Sequence, residues 1–517
     1  MNRRVFPRSL AAGALFVLSY ALGTPGYDVP GLPFVCLCPF LALAGSAGTV
    51  RQAAWRGWLS GTAGNLFLYY WIAWTVAVPG TLGWIPGALA AFLVSAYVGA
   101  YFSLAAAAAR RLEERFGERG LWLFPAAWVA LETARVHLFS GFPWMLLGYS
   151  LAGSATLRQA ADLAGVPGLS FLLALSGASV YIAARRFAGS SSPRGALALV
   201  PAVAAVAFLA LYGRSVDSRR GAAAASPEVK VAIAQGGIDQ SEKWDPRRQA
   251  GTIGIYAELT REARDAGAQV VVWPETAAPF FYGWEAALSR KVDDIALRNG
   301  IPIVFGAPWY DPGEGGKYYN SVFHMDARGV VLGRYDKRHL VPFGEYIPLR
   351  SLLFFLRKLT AGEEDFSAGA HPALFRIGDR LVAASVCYEA LFPMLIRDGV
   401  RGGAGWFVNV TNDAWFGDTV APLQHLAMAR MRCVEFRRPM VRAANSGISA
   451  VIGPDGGIVA SLGLFRRGIV VAGLRPGTGG TVYAKTGEIF GISCIIIAVF
   501  AIIFPKRGSH GIRFTGR

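Results

Sequence analysis

The chain has 517 residues, with 51 lysines and arginines against 34 aspartates and glutamates, a formal net charge of +17. Hydrophobic residues make up 53% and charged residues 16%, against roughly 25% charged in ordinary globular domains, which excludes a single soluble domain and a disordered chain. Nucleic acid is not the expected partner, because the basic residues punctuate long apolar runs instead of clustering on polar faces, a pattern that the positive-inside rule explains better.

A bilayer core of about 30 Å needs about 20 apolar residues in a helix, and about eight such runs follow one another. The first two run from Ser9 to Gly23 and from Pro30 to Gly48; the third and fourth from Gly57 to Val78 and from Trp84 to Ala109. A fifth begins near Leu121, a sixth spans Leu169 to Ala184, a seventh Ala196 to Tyr212, and the eighth Glu488 to Phe504. Placing Arg3, Arg4 and Arg8 in the cytoplasm and alternating sides puts Arg51, Arg56, Arg110, Arg111, Arg185, Arg186, Lys506 and Arg507 on that face too. Both termini are then cytoplasmic, and the polar stretch between the seventh and eighth runs lies outside, in a bacterial periplasm. A cleaved signal peptide is disfavoured, since a second apolar run follows closely and no convincing cleavage site ends the first. Glu132 and Arg135, three apart in the fifth run, share a helix face as a functional pair or a simple ion pair. The aromatic loop from His137 to Gly168 reads as an interfacial anchor or a substrate portal.

The expected organisation is therefore a membrane domain over residues 1–226, an outer domain over 227–486, and a last transmembrane helix with a cytoplasmic tail over 487–517. In the outer domain, short β-branched runs at Val229 to Gln235, Gln269 to Trp273, Ile301 to Gly306, Leu381 to Cys387 and Trp406 to Val410 read as buried strands. Helical spacing occupies Pro246 to Ala266, Trp284 to Asn299 and Thr419 to Arg437, and Asp326 to Gly329 and Pro454 to Gly457 read as hairpin turns. Glu275, Lys337 and Cys387 each follow such a run, and ligands gather beyond the carboxyl ends of strands in α/β sheets. The six histidines are scattered and there is no metal-ligand spacing, Walker loop or GxGxxG, so neither a metal nor a cofactor is expected.

Three segments carry a resemblance: Trp273-Pro274-Glu275-Thr276, the run Tyr335 to Glu345 containing Asp336-Lys337-Arg338, and Ser385-Val386-Cys387-Tyr388-Glu389. They resemble the catalytic segments of the carbon-nitrogen hydrolase (nitrilase) superfamily. Joined to eight apolar runs, they resemble the apolipoprotein N-acyltransferase family in particular, with Ser241 to Trp244 and Val408 to Phe416 fitting further segments. The resemblance implies an αββα sandwich beside a helical membrane domain. It also implies transfer of a phospholipid acyl chain to the N-terminal amine of a diacylglyceryl-cysteine apolipoprotein. Glu345 and Glu389 take supporting roles by the same resemblance, and Trp244 and Trp415 are substrate-contact candidates.

The residue types suit that chemistry. A free thiol is only about 3% ionised at pH 7, so Cys387 as nucleophile needs a base, and Glu275 at an apolar strand end can take its proton and return it to the leaving alkoxide. Lys337 supplies a fixed positive charge for the tetrahedral oxyanion, with the backbone N–H of Tyr388 as a second donor. Cys433 keeps a core role, because Leu426, Ala429 and Phe436 share its helix at core spacing. Leu349 to Leu359, with Phe354 and Phe355 between basic residues, has the composition of an interfacial lid, the alternative being domain core. Phe280, Phe281, Tyr282 and Trp284 offer an opposing lip. The competing function is a membrane-tethered amidase that hydrolyses small C–N substrates with the same three residues. It leaves the number of apolar runs unexplained, since one would suffice as an anchor.

Overall fold

The computed structural model describes residues 5–189, 193–220, 228–313, 316–349, 351 and 365–503. Every expected apolar run is helical: Val5–Leu22, Leu32–Val35 and Leu37–Gly45, Val50–Tyr69 and Trp71–Ala77, Trp84–Phe116, Phe124–His137, Ala161–Gly189, Val200–Arg220 and Ile489–Ile503. By length and composition, the described segments Trp84–Ser140, Leu157–Gly189 and Arg194–Val216 suffice to cross a bilayer, and shorter apolar helices lie at Ser9–Leu22, Leu32–Gly45 and Ile489–Ile503. The second and third runs are broken, at Cys36 and Tyr70, into paired shorter helices. Small residues let helices meet at close range: a Cβ on Gly57 would lie 2.6 Å from the Ala106 side chain, and one on Gly61 2.4 Å from that of Phe102.

Among the described residues the outer domain has twelve strands: β1 (Val229–Gln235), β2 (Val270–Val272), β3 (Ile303–Asp311), β4 (Lys317–Met325), β5 (Val331–Asp336), β6 (Leu374–Ile377), β7 (Arg380–Val386), β8 (Trp406–Thr411), β9 (Met440–Ala444), β10 (Ser449–Ile452), β11 (Ile458–Leu462) and β12 (Gly468–Leu474). They form two six-stranded sheets, ordered β12-β1-β2-β3-β4-β5 and β11-β10-β9-β8-β7-β6. Each has a parallel centre, β1-β2-β3 in one and β7-β8-β9 in the other, with antiparallel edges. Side chains alternate along a strand, and the hydrophobic clusters follow that period. Val231 and Ile233 join Val408 and Val410 between the sheets, whereas Ala232 and Ala234 face helices Pro246–Asp265 and Ala286–Asn299. Phe407 and Met440 turn to the opposite outer face, against helix Ala421–Phe436 and its buried Cys433. The result is a four-layer αββα sandwich.

Candidate active site

Glu275 lies three residues beyond β2, where strand β3 passes close. A Cβ on Gly306 of β3 would stand 2.7 Å from the Glu275 Cα, so the bare glycine admits the turn. The Glu275 carboxylate accepts from Asn320 Nδ2 at 2.7 Å, and the same amide donates to Glu345 Oε1 at 2.9 Å. Lys337, just past β5 and 1% exposed, holds Glu345 Oε2 at 2.8 Å. Burial raises the Glu275 carboxyl above its ordinary range against the pull of Lys337, so it is a better base than a surface carboxylate. Burial acts to lower the Lys337 ammonium, but Glu345 and Glu275 more than offset it and hold the lysine protonated. A second buried lysine, Lys243, donates to the backbone carbonyl of Glu275 at 2.9 Å. Burial lowers it to about 8, with Glu275 and Cys387 opposing.

Cys387 follows β7 in a left-handed conformation (φ 51°), at a tight strand-to-helix turn that leaves it at the edge of the layer between the sheets. Its thiol is half-buried and pushed up to about 12 by burial, with Glu275 adding to the rise and Lys337 opposing it. The resting sulfur is therefore a neutral thiol that requires a base. Glu389, fully buried, accepts from the backbone N–H groups of Val386, Arg338 and His339 at 2.7, 2.7 and 3.0 Å and from the Tyr335 hydroxyl. One carboxylate thus ties the Lys337 loop to the Cys387 turn.

Residues 230–483 match the carbon-nitrogen hydrolase family model, and residues 12–179 match the apolipoprotein N-acyltransferase N-terminal domain model. An apolipoprotein N-acyltransferase of Geobacter metallireducens is 38% identical over 514 residues, 98% of this chain and 97% of that protein. The chain belongs to the apolipoprotein N-acyltransferase family. That of Methylococcus capsulatus is 36% identical over 77% of this chain and 76% of its own. Among solved structures, an amidase from Nesterenkonia sp. is similar at 20% identity and a TM-score of 0.36, over 48% of this chain and 91% of that one.

For a member of the apolipoprotein N-acyltransferase family, the residues expected at the site divide into three groups. Glu275, Lys337, Glu345, Cys387, Tyr388 and Glu389 are brought together. Trp244 and Trp415 are half-buried, and the Trp415 carbonyl is bonded by Thr75 of the helical half at 3.0 Å. Phe354 and Phe355, with the rest of the expected lid from Leu352 on, lie outside the described residues.

Two expectations are corrected. Phe280 and Tyr282 are core side chains, and Tyr282 donates to Asp293 at 2.6 Å, which leaves the half-buried Phe281 and the exposed Trp284 of the larger lip. Glu132 and Arg135 form no direct ion pair: Glu132 accepts from Trp128 and the Leu147 N–H, and Arg135 donates to the Trp144 carbonyl, pinning the loop after the fifth run. The middle of that loop is a seam: Trp144 is buried and bonds Gln424 at 2.7 Å, and the Gly141 carbonyl takes the Tyr388 hydroxyl at 3.2 Å, while Leu138 and Phe139 at its start are exposed.

Sequence reasoning gave no role to Asn320, His425 and Arg442, nor to Lys243, although Lys243 lies in the segment Ser241 to Trp244 that carried part of the resemblance. For Arg442 a signal existed, a charge inside the apolar strand Met440–Ala444; Asn320 carried none. Among the described residues, no group of three His, Cys, Asp or Glu is arranged to hold a metal.

Proposed function

We propose that the protein transfers an acyl chain from a membrane phospholipid, through a thioester on Cys387, to the N-terminal amine of a diacylglyceryl-cysteine apolipoprotein, completing lipoprotein maturation. The observation that carries this reading is the meeting of Glu275, Lys337 and Cys387 at three strand ends, directly beside a helical half whose loop bonds Tyr388. Glu275 takes the Cys387 proton as sulfur attacks the ester carbonyl. Lys337 and the Tyr388 N–H stabilise the oxyanion, the C–O bond breaks, and Glu275 returns its proton to the lysophospholipid alkoxide. The acceptor amine then attacks the thioester, Glu275 takes its proton, and the thiol leaves as the amide forms. Glu345 holds Lys337 and Glu389 holds both loops, so neither need exchange a proton with substrate.

The same reading makes residues 1–226 a multi-pass domain of the bacterial cytoplasmic membrane, with 227–486 periplasmic, a last helix in 487–517 and both termini cytoplasmic. Its support is the basic clusters between apolar runs and the seam, which sets Cys387 beside helices that lipid substrates reach. The test is intact-mass spectrometry of the detergent-purified protein after incubation with phospholipid carrying a labelled acyl chain. A hydroxylamine-sensitive adduct is expected in the wild type and absent from Cys387→Ala, and it moves to a diacylglyceryl-cysteine peptide added later. An adduct cleared by water as fast without peptide as with it would instead make the protein a hydrolase.

A further inference from the structure

Behind the nucleophile lies a buried polar cluster with no part in the steps above. Helix Ala421–Phe436 presents His425 to the Cys387 turn, and its Nε2 stands 3.3 Å from the Cys387 carbonyl oxygen. Asn409 of β8 brings Nδ2 to the same oxygen at 3.4 Å. A carbonyl only accepts, so Nε2 carries the hydrogen. The far side of the imidazole is held too: with the hydrogen on Nε2 the neutral ring's Nδ1 is an acceptor and takes the Arg442 Nη2–H at 3.2 Å, while Asp413 Oδ1, 3.0 Å away, accepts from the Thr411 hydroxyl at 3.1 Å. Arg442 also binds Asp413 Oδ2 at 2.6 Å and Asn409 Oδ1 at 2.8 Å. Asn409, Asp413, His425 and Arg442 are each at least 98% buried, so turning the ring breaks its bond from Arg442 and its bond to the Cys387 carbonyl in a closely packed interior.

The carbonyl of Cys387 and the N–H of Tyr388 belong to one planar peptide unit and point in opposite directions. Holding the oxygen from behind therefore aims the N–H forward, and among the described residues that N–H has no hydrogen-bond acceptor. We propose that His425, with Asn409, is a positioning residue that orients the Cys387–Tyr388 peptide so that its N–H meets the oxyanion of the acyl-transfer intermediate. This rests on Cys387 being the nucleophile. The left-handed turn at Cys387 makes the clamp necessary, because a strained non-glycine residue relaxes unless its surroundings over-determine it.

The experiment separates thiol reactivity from ester chemistry. Cys387 alkylation by iodoacetamide forms no oxyanion, whereas thioester formation from a labelled phospholipid does. His425→Leu is expected to slow single-turnover thioester formation roughly 10- to 100-fold with KM unchanged, while alkylation stays within about twofold of the wild type because the thiol is untouched. His425→Gln, which retains an N–H donor, recovers most of the rate. Asn409→Asp, which keeps the Arg442 contact and loses the donor, shows the same selective loss and serves if His425→Leu does not fold. Unchanged thioester formation in both variants, or a parallel fall in alkylation and acylation, overturns the proposal. Failure of the wild-type protein to acylate Cys387 overturns the acyl-enzyme reading itself and this inference with it.

Discussion

The two walls of the site handle charge in opposite ways. On the wall ending β2 and β5, Glu275 and Glu345 share the Asn320 amide and Lys337 binds Glu345, so the proton affinities of Glu275 and Lys337 depend on the charges around them. On the wall ending β7 and β8, Asp413 and Arg442 neutralise each other, and Arg442 spends its remaining bonds on His425 and Asn409. Burial would raise the Asp413 carboxyl, yet Arg442 and His425 hold it well below the ordinary range. The first wall is built to move a proton, the second to keep a backbone still. Substitutions on the first wall should change rates and pH dependence at constant fold, and those on the second should act through geometry.

Glu389 belongs to both walls, and breaking it should give the largest effect. Glu389→Ala leaves three backbone N–H groups and the Tyr335 hydroxyl without their acceptor. At about 1–3 kcal/mol for each buried donor stranded, the loss should exceed about 4 kcal/mol, read as a fallen Tm in detergent together with lost acylation. A loss under about 1 kcal/mol would mean that water or a shifted loop satisfies these donors, and the two walls would then be independent. Next in size is Glu345→Gln, which removes Lys337's ion-pair partner while keeping a side chain of the same shape. Thioester formation should fall about 100-fold, the scale of losing one oxyanion-stabilising group, with Tm nearly unchanged. A Tm loss as large as that of Glu389→Ala would place Glu345 among the geometric groups and blur the comparison.

The fold was legible wherever a hydrophobic period was strong. Val231 and Ile233 alternate with Ala232 and Ala234, and that alternation already separates the inter-sheet layer from the helix layer. The positions of Glu275, Lys337 and Cys387 were legible because each interrupts or follows a β-branched run. The second wall was not. His425 sits beside Leu426 on a helix whose periodicity marks core, and nothing in the chain states that the neighbouring face meets the carbonyl of a residue 38 positions earlier. Likewise Phe280 and Tyr282 read as a surface lip because aromatic residues after a strand end fit either a rim or a core. The edge-to-face contact of Tyr282 with Phe305, at a ring-centroid distance of 5.1 Å, is a long-range fact. Glu132 and Arg135 share a helix face by spacing, but the Leu147 N–H and the Trp144 carbonyl that they bind come from residues after the helix ends, which spacing on one helix cannot reveal.

The smallest expected effect sharpens the comparison most, because Lys243 hydrogen-bonds the proton-moving wall through a backbone carbonyl and acts on its carboxylate only as a nearby charge. Its ammonium is buried and lowered to about 8, against about 10.4 for an unfolded lysine. Between those values the unfolded chain binds a proton that the folded chain does not, so stability rises with pH, by up to about 1.4 kcal/mol per unit. Below about 8 both states are protonated and the folded state carries the full cost of a buried charge. Lys243→Met removes that cost. The variant should be more stable than the wild type at pH 7, and the difference should shrink as pH rises from 8 toward 10 in parallel detergent melts. Its acylation should fall about tenfold, since the Glu275 carbonyl loses its donor and the carboxylate loses a nearby cation. A wild-type Tm that does not gain on the variant's across that range would mean that Lys243 is charged at no cost, held by a counter-charge, and the wall would then carry one more permanent ion pair.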